Sequence, residues 1–289
     1  MSQENIFLFF IIICFISHSS ITDILFLIFF VGNILIKGAN VRFEFMLPYQ
    51  IKEAIAKNIP IVLPIGVLEY HGEHMAVGMD TLAVTKILDR LESQMEVVIL
   101  PPFSYGAASY AVAAPEQSGT LHVDSSVLAP LAEQLFTGLL RIGFRNIHGV
   151  VHHQTENFAS GMPTDLAFKI GARQSIFKFL ESTRGEGWWG SKDMNDYYDK
   201  HKEGADPFNW IKLHPLMDNE IINNYTFDHA GEGETSLLMA LAPEAVEMSR
   251  LTENNTWYTK SAKNSSLEKG ELVTSVSYTH LTLPTKRIV

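Results

Sequence analysis

One short run constrains the fold more than any other. Ile59–Ile65 is β-branched and apolar at both parities. A strand with one wet face alternates, whereas a strand apolar on both faces belongs inside a parallel sheet covered from both sides. The run leads directly into Gly66-Val67-Leu68-Glu69-Tyr70-His71-Gly72-Glu73-His74 and then Gly78-Met79-Asp80-Thr81. A helical pattern follows, with Val84, Ile87, Leu88, Leu91 and Met95 on one face. An apolar strand that ends in carboxylates and imidazoles, before a helix begins, suggests a divalent-metal site.

The same order recurs along the chain. Pro48 suits a first helical turn, and that helix ends near Asn58. Val97–Leu100 reads as a second strand, stopped by Pro101-Pro102. Phe103 to Gly119, rich in Ala, Gly, Ser and Tyr, reads as a long loop near a site. Ser125 or Ser126 can cap a helix carrying Leu128, Leu131, Leu135 and Leu139, closed by Gly143. Asn146–Val151 reads as a third strand, and a helix from roughly Pro163 to Leu180 turns Leu166, Ile170, Ile176 and Phe177 inward. Ser182–Trp210 is aromatic and polar and reads as an insertion or lid. Tyr225–Phe227 reads as a last short strand, before a helix through Leu237, Leu238 and Leu241. Alternating strand and helix argue for an α/β fold with a largely parallel sheet, in which ligands bind beyond the carboxyl ends of the strands.

Both ends differ from this middle. Residues 1–40 hold two apolar runs, Ile6–Ile16 and Ile24–Ile36, each shorter than the roughly 20 residues that span a bilayer. No basic n-region or small-residue cleavage site marks a secretory signal. The stretch reads as a membrane anchor or hairpin, as translated upstream sequence foreign to the native protein, or as a packed core element. A single globular domain is expected over 41–250, with a tail over 251–289. The last stretch, Ser275–Val289, has the look of translated adaptor read-through. A cytoplasmic protein is expected, membrane-associated only if 1–40 is native.

Composition excludes some chemistry. The formal net charge is −10, which argues against nucleic acid as a partner, since phosphate binding needs clustered Lys and Arg. The single cysteine, Cys14, excludes an intrachain disulfide and a cysteine-based zinc site. No G-x-S-x-G elbow, P-loop, G-x-G-x-x-G or HExxH occurs.

Three polar clusters follow expected strands. In extended backbone Glu69 and His71 face one side, and Asp80 falls where the next helix begins. A mixed carboxylate–imidazole set suits zinc or manganese. His74 is either a support for a ligand carboxylate or a structural histidine, and Glu73 is expected to face solvent. In His152-His153-Gln154-Thr155-Glu156-Asn157 one histidine should point to the strand end, and parity does not say which. His148, further back, reads as structural. In the third cluster, His229–Ser236, His229 suits proton transfer near neutral pH, and Glu234 is either a helix cap or a group close to an activated water.

Together these segments resemble the creatininase family of metal-dependent amidohydrolases. The family pattern PxGxxExHGxHLPxGxD is met by PIGVLEYHGEHMAVGMD, with Met75-Ala76 for Leu-Pro, and HAGxxETS by His229–Ser236. The resemblance runs from about Val41 to Met248. It implies a three-layer α/β/α subunit, hexameric assembly and two divalent cations per subunit, Zn2+ or Mn2+. Glu69 and His71 would ligate one ion each and Asp80 would bridge them. His153 and Glu156 would complete the ligand set, with His229 and Glu234 as catalytic groups. One departure stands out: the family's Asn-Gly-His is absent, and the segment after His153 is one residue longer. Hydrolysis of a C–N amide bond in a small molecule is the expected activity. A metal-binding family member without catalysis and a membrane-tethered peptidase or amidase are the alternatives.

Overall fold

The computed structural model describes residues 42–202 and 206–286. Four strands, β1 (Ile61–Ile65), β2 (Val98–Ile99), β3 (Ile147–Val151) and β4 (Ile211–Pro215), lie in the order β2-β1-β3-β4, every pair parallel. The helices are α1 (Pro48–Ala56), α2 (Met79–Glu92), α3 (Ser125–Ile142), α4 (Pro163–Arg184), α5 (Tyr197–Lys202), α6 (Asn219–Asn224), α7 (Glu232–Leu241) and α8 (Leu267–Lys286).

Side-chain alternation along β1 sends apolar groups to two separate cores. Ile61, Leu63 and Ile65 meet Phe136, Leu140, Phe168 and Ile176 of α3 and α4. Val62 joins Ile87, Leu88 and Leu91 of α2 with Leu237 and Leu238 of α7 on the other side. Each such side chain, fully buried, contributes roughly 1.5–3 kcal/mol of transfer free energy. Two filled faces make a three-layer α/β/α fold, as expected for an all-parallel sheet.

Some expectations change. Ile211–Pro215 is an edge strand that follows the aromatic segment directly. Its apolar positions are only Ile211 and Leu213, too few for a clear strand pattern. Tyr225–Phe227 is irregular, a connection between α6 and α7. On α3 and α4 the buried faces differ from the expected ones: Leu131, Leu135, Leu166, Ile170 and Phe177 are exposed, whereas Ala132, Phe136, Ala167, Phe168 and Ala172 are buried. Small residues decide this orientation. A Cβ added at Gly171 would stand 2.7 Å from Ala132 Cβ and from Glu133 N, so the two helices meet through their smallest side chains.

The C-terminal segment packs on the domain. Val273, Thr274 and Ser277 are buried, and a Cβ at Gly270 would stand 1.9 Å from the Ser236 carbonyl oxygen of α7. Residues 1–40, with their apolar runs, lie outside the described residues. Among the described residues no helix is long and apolar enough to cross a membrane.

Candidate metal centre

The loops beyond the carboxyl ends of β1 and β3, and the first turn of α7, converge on one point. Glu69, His71, Asp80, His152, His153 and Glu234 are all buried there. Asp80 occupies the first turn of α2, where the helix N-terminus favours negative charge. Gly66 lets this turn close up, since a Cβ would stand 2.5 Å from Thr81 N.

Several of these side chains are held by a second contact. Glu69 Oε1 accepts the Ser109 N–H at 2.7 Å. His71 Nδ1 lies 2.9 Å from the Glu69 carbonyl. A carbonyl only accepts, so Nδ1 carries the proton and Nε2 presents its lone pair to the centre. Glu234 Oε2 accepts the Ala230 N–H at 2.7 Å. The Asp228 carboxylate accepts from the Gly233 and Glu234 amides at 3.0 and 3.2 Å, so it caps α7 and leaves Glu234 free to face the centre. His74 Nε2 sits 3.0 Å from Thr235 Oγ1, and the Asn254 amide nitrogen 3.3 Å from its Nδ1. His74 therefore ties the first loop to α7 and to the C-terminal segment. Glu73 is exposed and accepts a hydrogen bond from the Tyr70 hydroxyl.

Apart from His153 Nδ1, which reaches Glu69, the groups that face inward lack hydrogen-bond partners among themselves, and they are close enough to share an ion. His71 Nε2 is 3.8 Å from Asp80 Oδ2 and 3.5 Å from Glu234 Oε2. His153 Nδ1 is 3.3 Å from Glu69 Oε2 and 3.7 Å from Asp80 Oδ2. His71 Nε2, Asp80 Oδ2, both nitrogens of His152 and His153 Nε2 are buried without a hydrogen-bond partner. Buried polar atoms rarely lack partners, and a bound ion is among the usual reasons. Three groups have ligand atoms mutually within 4.8 Å: Glu69, Asp80 and His153; His71, Asp80 and Glu234; and Glu69, His71 and His229. Asp80 stands between the first two. The donors, carboxylate oxygen and imidazole nitrogen, fit zinc or manganese.

The electrostatics describe a site crowded with charge. Burial raises the Glu234 carboxyl to about 8, and the nearby Asp80 charge adds to that rise. Burial opposes charge on His153, yet hydrogen bonds and charge from Asp80 and Glu69 outweigh it and raise the ring to about 10. Those carboxylates would hold a divalent cation by the same attraction. Burial drives His152 down to about 4 despite Asp80. Burial and the neighbouring His71 charge lower His229 to about 4.

The sequence-expected residues fall as follows. Glu69, His71, Asp80, His153 and Glu234 come together in the cluster. His229 lies at its edge, its Nε2 3.0 Å from the Tyr70 carbonyl and its ring centroid 4.4 Å from that of His71. Glu156 is exposed at the wall of the adjoining cavity and belongs to none of the three groups. His148 contacts His214 and Asn146 within the sheet, away from the centre. His152, left level with His153 by parity, is also buried beside the cluster, and like Glu156 it belongs to none of the three groups.

The cavity over the centre measures about 770 Å3. Ser109, Ala111 and Val112 of the long loop form one wall, and Phe227, Trp257 and Tyr258 supply aromatic surface. Among the described residues of Ser182–Trp210, the aromatic segment read as an insertion or lid, none lines it. Trp188, Trp189, Tyr197 and Phe208 line a separate cavity beside Phe177. Trp257 and Tyr258 belong to the stretch expected as a tail, and a lone aromatic pair in polar sequence gave no sign of reaching the site.

Comparison with known proteins agrees with this geometry. The profile of the creatininase family, described as creatinine amidohydrolase, matches residues 46–282. A creatinine amidohydrolase of Pseudomonas putida is 25% identical over 237 residues, 75% of this chain and 84% of that protein. A 3-dehydro-scyllo-inosose hydrolase of Thermotoga maritima is 25% identical over 209 residues, 72% of this chain and 58% of that protein. The crystal structure of a creatinine amidohydrolase (creatininase) aligns with a TM-score of 0.63 at 19% identity, covering 84% of this chain and 96% of that one. A creatininase with manganese and a mutant creatininase of Zn-Zn type, each 20% identical, align at 0.61 and 0.62 with the same coverage. With its profile matched over most of its length, its three-layer fold and its buried carboxylate–imidazole cluster, this chain belongs to the creatininase family of metal-dependent amidohydrolases.

Proposed function

We propose that this protein hydrolyses a C–N amide bond in a small, linear or cyclic molecule, using two divalent cations per chain, Zn2+ or Mn2+. The observation that carries the reading is the buried set of unpartnered imidazole and carboxylate atoms around Asp80. Glu69, Asp80 and His153 would hold one cation, and His71, Asp80 and Glu234 the other, with Asp80 shared. When bound, the pair supplies a Lewis acid for the carbonyl oxygen and a water of lowered pKa.

The rest of the chemistry falls to the chain. His229 Nε2 donates to the Tyr70 carbonyl, which leaves the Nδ1 lone pair as its proton acceptor. Burial keeps the ring neutral, so it takes a proton at Nδ1 and returns it to the leaving nitrogen. Glu234, its oxygen already fixed by the Ala230 amide, orients the attacking water. Phe227, Trp257 and Tyr258 offer a flat apolar wall to the substrate and keep bulk water from the reacting atoms. Incubation with creatinine and a panel of small linear and cyclic amides, with and without a chelator, tests the reading. Turnover that chelation abolishes and zinc or manganese restores is the expected outcome; bound metal without turnover on any amide would favour a binding protein.

The assembly is proposed to be a homo-oligomer. Val127, Leu131 and Leu135 recur every four residues along α3, all exposed, with Ile170 and Phe177 exposed on α4. Apolar surface of this kind marks contact sites. Leu131→Glu combined with Ile170→Glu is expected to reduce the mass seen by light scattering while the circular dichroism is retained. An unchanged mass would place the interface elsewhere.

A further inference from the structure

The two adjacent histidines after β3 do different work. In extended backbone successive side chains point to opposite faces, so only one of His152 and His153 should reach the centre. His152 continues the sheet, its amide donating to the Ile65 carbonyl at 3.2 Å. At His153 the backbone turns left-handed, with φ +40°, which few non-glycine residues adopt. The turn breaks the alternation and brings both rings into the cluster. Beyond it, Gln154 locks the loop. Its side chain donates to the Met217 carbonyl at 2.7 Å and accepts the Met217 amide at 3.0 Å. The longer loop after β3 is thereby anchored to the segment following β4, and Glu156 is carried out to the cavity wall.

His153 faces Glu69 and Asp80. His152 faces another pair: its Nε2 is 3.5 Å from Glu234 Oε1 and 4.0 Å from Asp80 Oδ1. Neither of its ring nitrogens has a hydrogen-bond partner, although the residue is only 2% exposed. Ligand atoms in a tetrahedral zinc site stand about 3.4 Å apart, given zinc–ligand distances of roughly 2.1 Å. His71 Nε2 stands 3.5 Å from Glu234 Oε2 and His152 Nε2 3.5 Å from Glu234 Oε1, so each imidazole matches that separation to the carboxylate oxygen it faces.

We propose that His152, and not Glu156, is a ligand of the second cation, completing a set of His71, His152, Asp80 and Glu234. The inference rests on the two-cation reading above. It makes the two sites unequal in kind. The first has one imidazole and two carboxylates; the second has two imidazoles and two carboxylates. Nitrogen donors favour zinc over manganese, so the second site is expected to be the more zinc-selective.

The test is cation stoichiometry, measured by elemental analysis after dialysis of the zinc-loaded full-length protein against low free zinc. Wild type and Glu156→Gln should each keep two ions per chain, and His152→Ala should keep one. His152→Gln, which retains a polar side chain, repeats the test if the alanine variant has lost its native circular dichroism, and should also keep one. Two ions in a folded His152 variant, or the loss of one in Glu156→Gln alone, would overturn the assignment. Fewer than two in wild type would instead overturn the two-cation reading. In wild type, competition between zinc and manganese should leave one site zinc-filled at manganese levels that fill the other; equal exchange at both would contradict the unequal donor sets.

Discussion

Asp80→Ala should release both cations together and lower hydrolysis by roughly 10^3-fold or more, the scale lost when a group that stabilises reacting charge is removed. Asp80 is the residue common to the Glu69–His153 group and the His71–Glu234 group. Its Oδ2 lies 3.8 Å from His71 Nε2 and 3.7 Å from His153 Nδ1, and it has no hydrogen bond of its own. Removing any other member of the cluster takes away one ligand. Removing Asp80 takes away the charge on which both halves converge. A variant that kept one tightly held cation would show two independent sites, and the bridging role would be wrong. His229→Ala supplies the contrast: its cation content should stay unchanged while turnover falls, because its proposed role is proton transfer.

Gly270→Val should destabilise the domain by about 2–3 kcal/mol, a fall in thermal midpoint of roughly 3–6 °C for a chain of this length. The added Cβ would stand 1.9 Å from the Ser236 carbonyl oxygen, 2.7 Å from its carbon and 2.9 Å from Ala240 Cβ. Backbone of α7 blocks it, so α8 must move away as a unit. The movement would also disturb the helix that carries Glu234. Affinity for the second cation is therefore expected to fall along with the midpoint. A midpoint within about 1 °C of wild type would mean that Leu267–Lys286 does not pack against α7 in solution, and that the domain ends before it.

The sequence made the framework legible because period and punctuation were clear. Ile61–Ile65 is an apolar run and Ile147–Val151 a short Ile/Val-rich one, each followed by a polar cluster, and Gly143 closes α3 where expected. The Glu69, His71 and Asp80 positions were legible for a local reason: two-residue parity, flexible glycines and a helix start all lie within one short stretch. What was hidden depended on distance or on one backbone angle. The left-handed φ at His153 admits both histidines, and no pattern of apolar residues announces it. Trp257 and Tyr258 reach the cavity only after the chain returns through a run of 3-10 helices.

Helical period had a limit of another kind. It located an apolar face on α3 at Leu128, Leu131, Leu135 and Leu139 without distinguishing core from interface. Leu128 and Leu139 are buried, whereas Leu131 and Leu135 are 41% exposed. Ala132 and Gly171 set which side turns inward, and small residues weigh little in a hydrophobicity pattern. The aromatic segment is limited in a similar way. Its composition suits an insertion or a lid, and Trp188, Trp189 and Phe208 gather beside α4 at a cavity of their own.

Calorimetric titration of chelator-stripped wild-type protein with zinc tests the central claim most directly. The account predicts two equivalents bound per chain, with proton release from the histidine and carboxyl groups as they become ligands. Saturation at one equivalent, or no heat of specific binding, would contradict a two-cation centre built on Asp80.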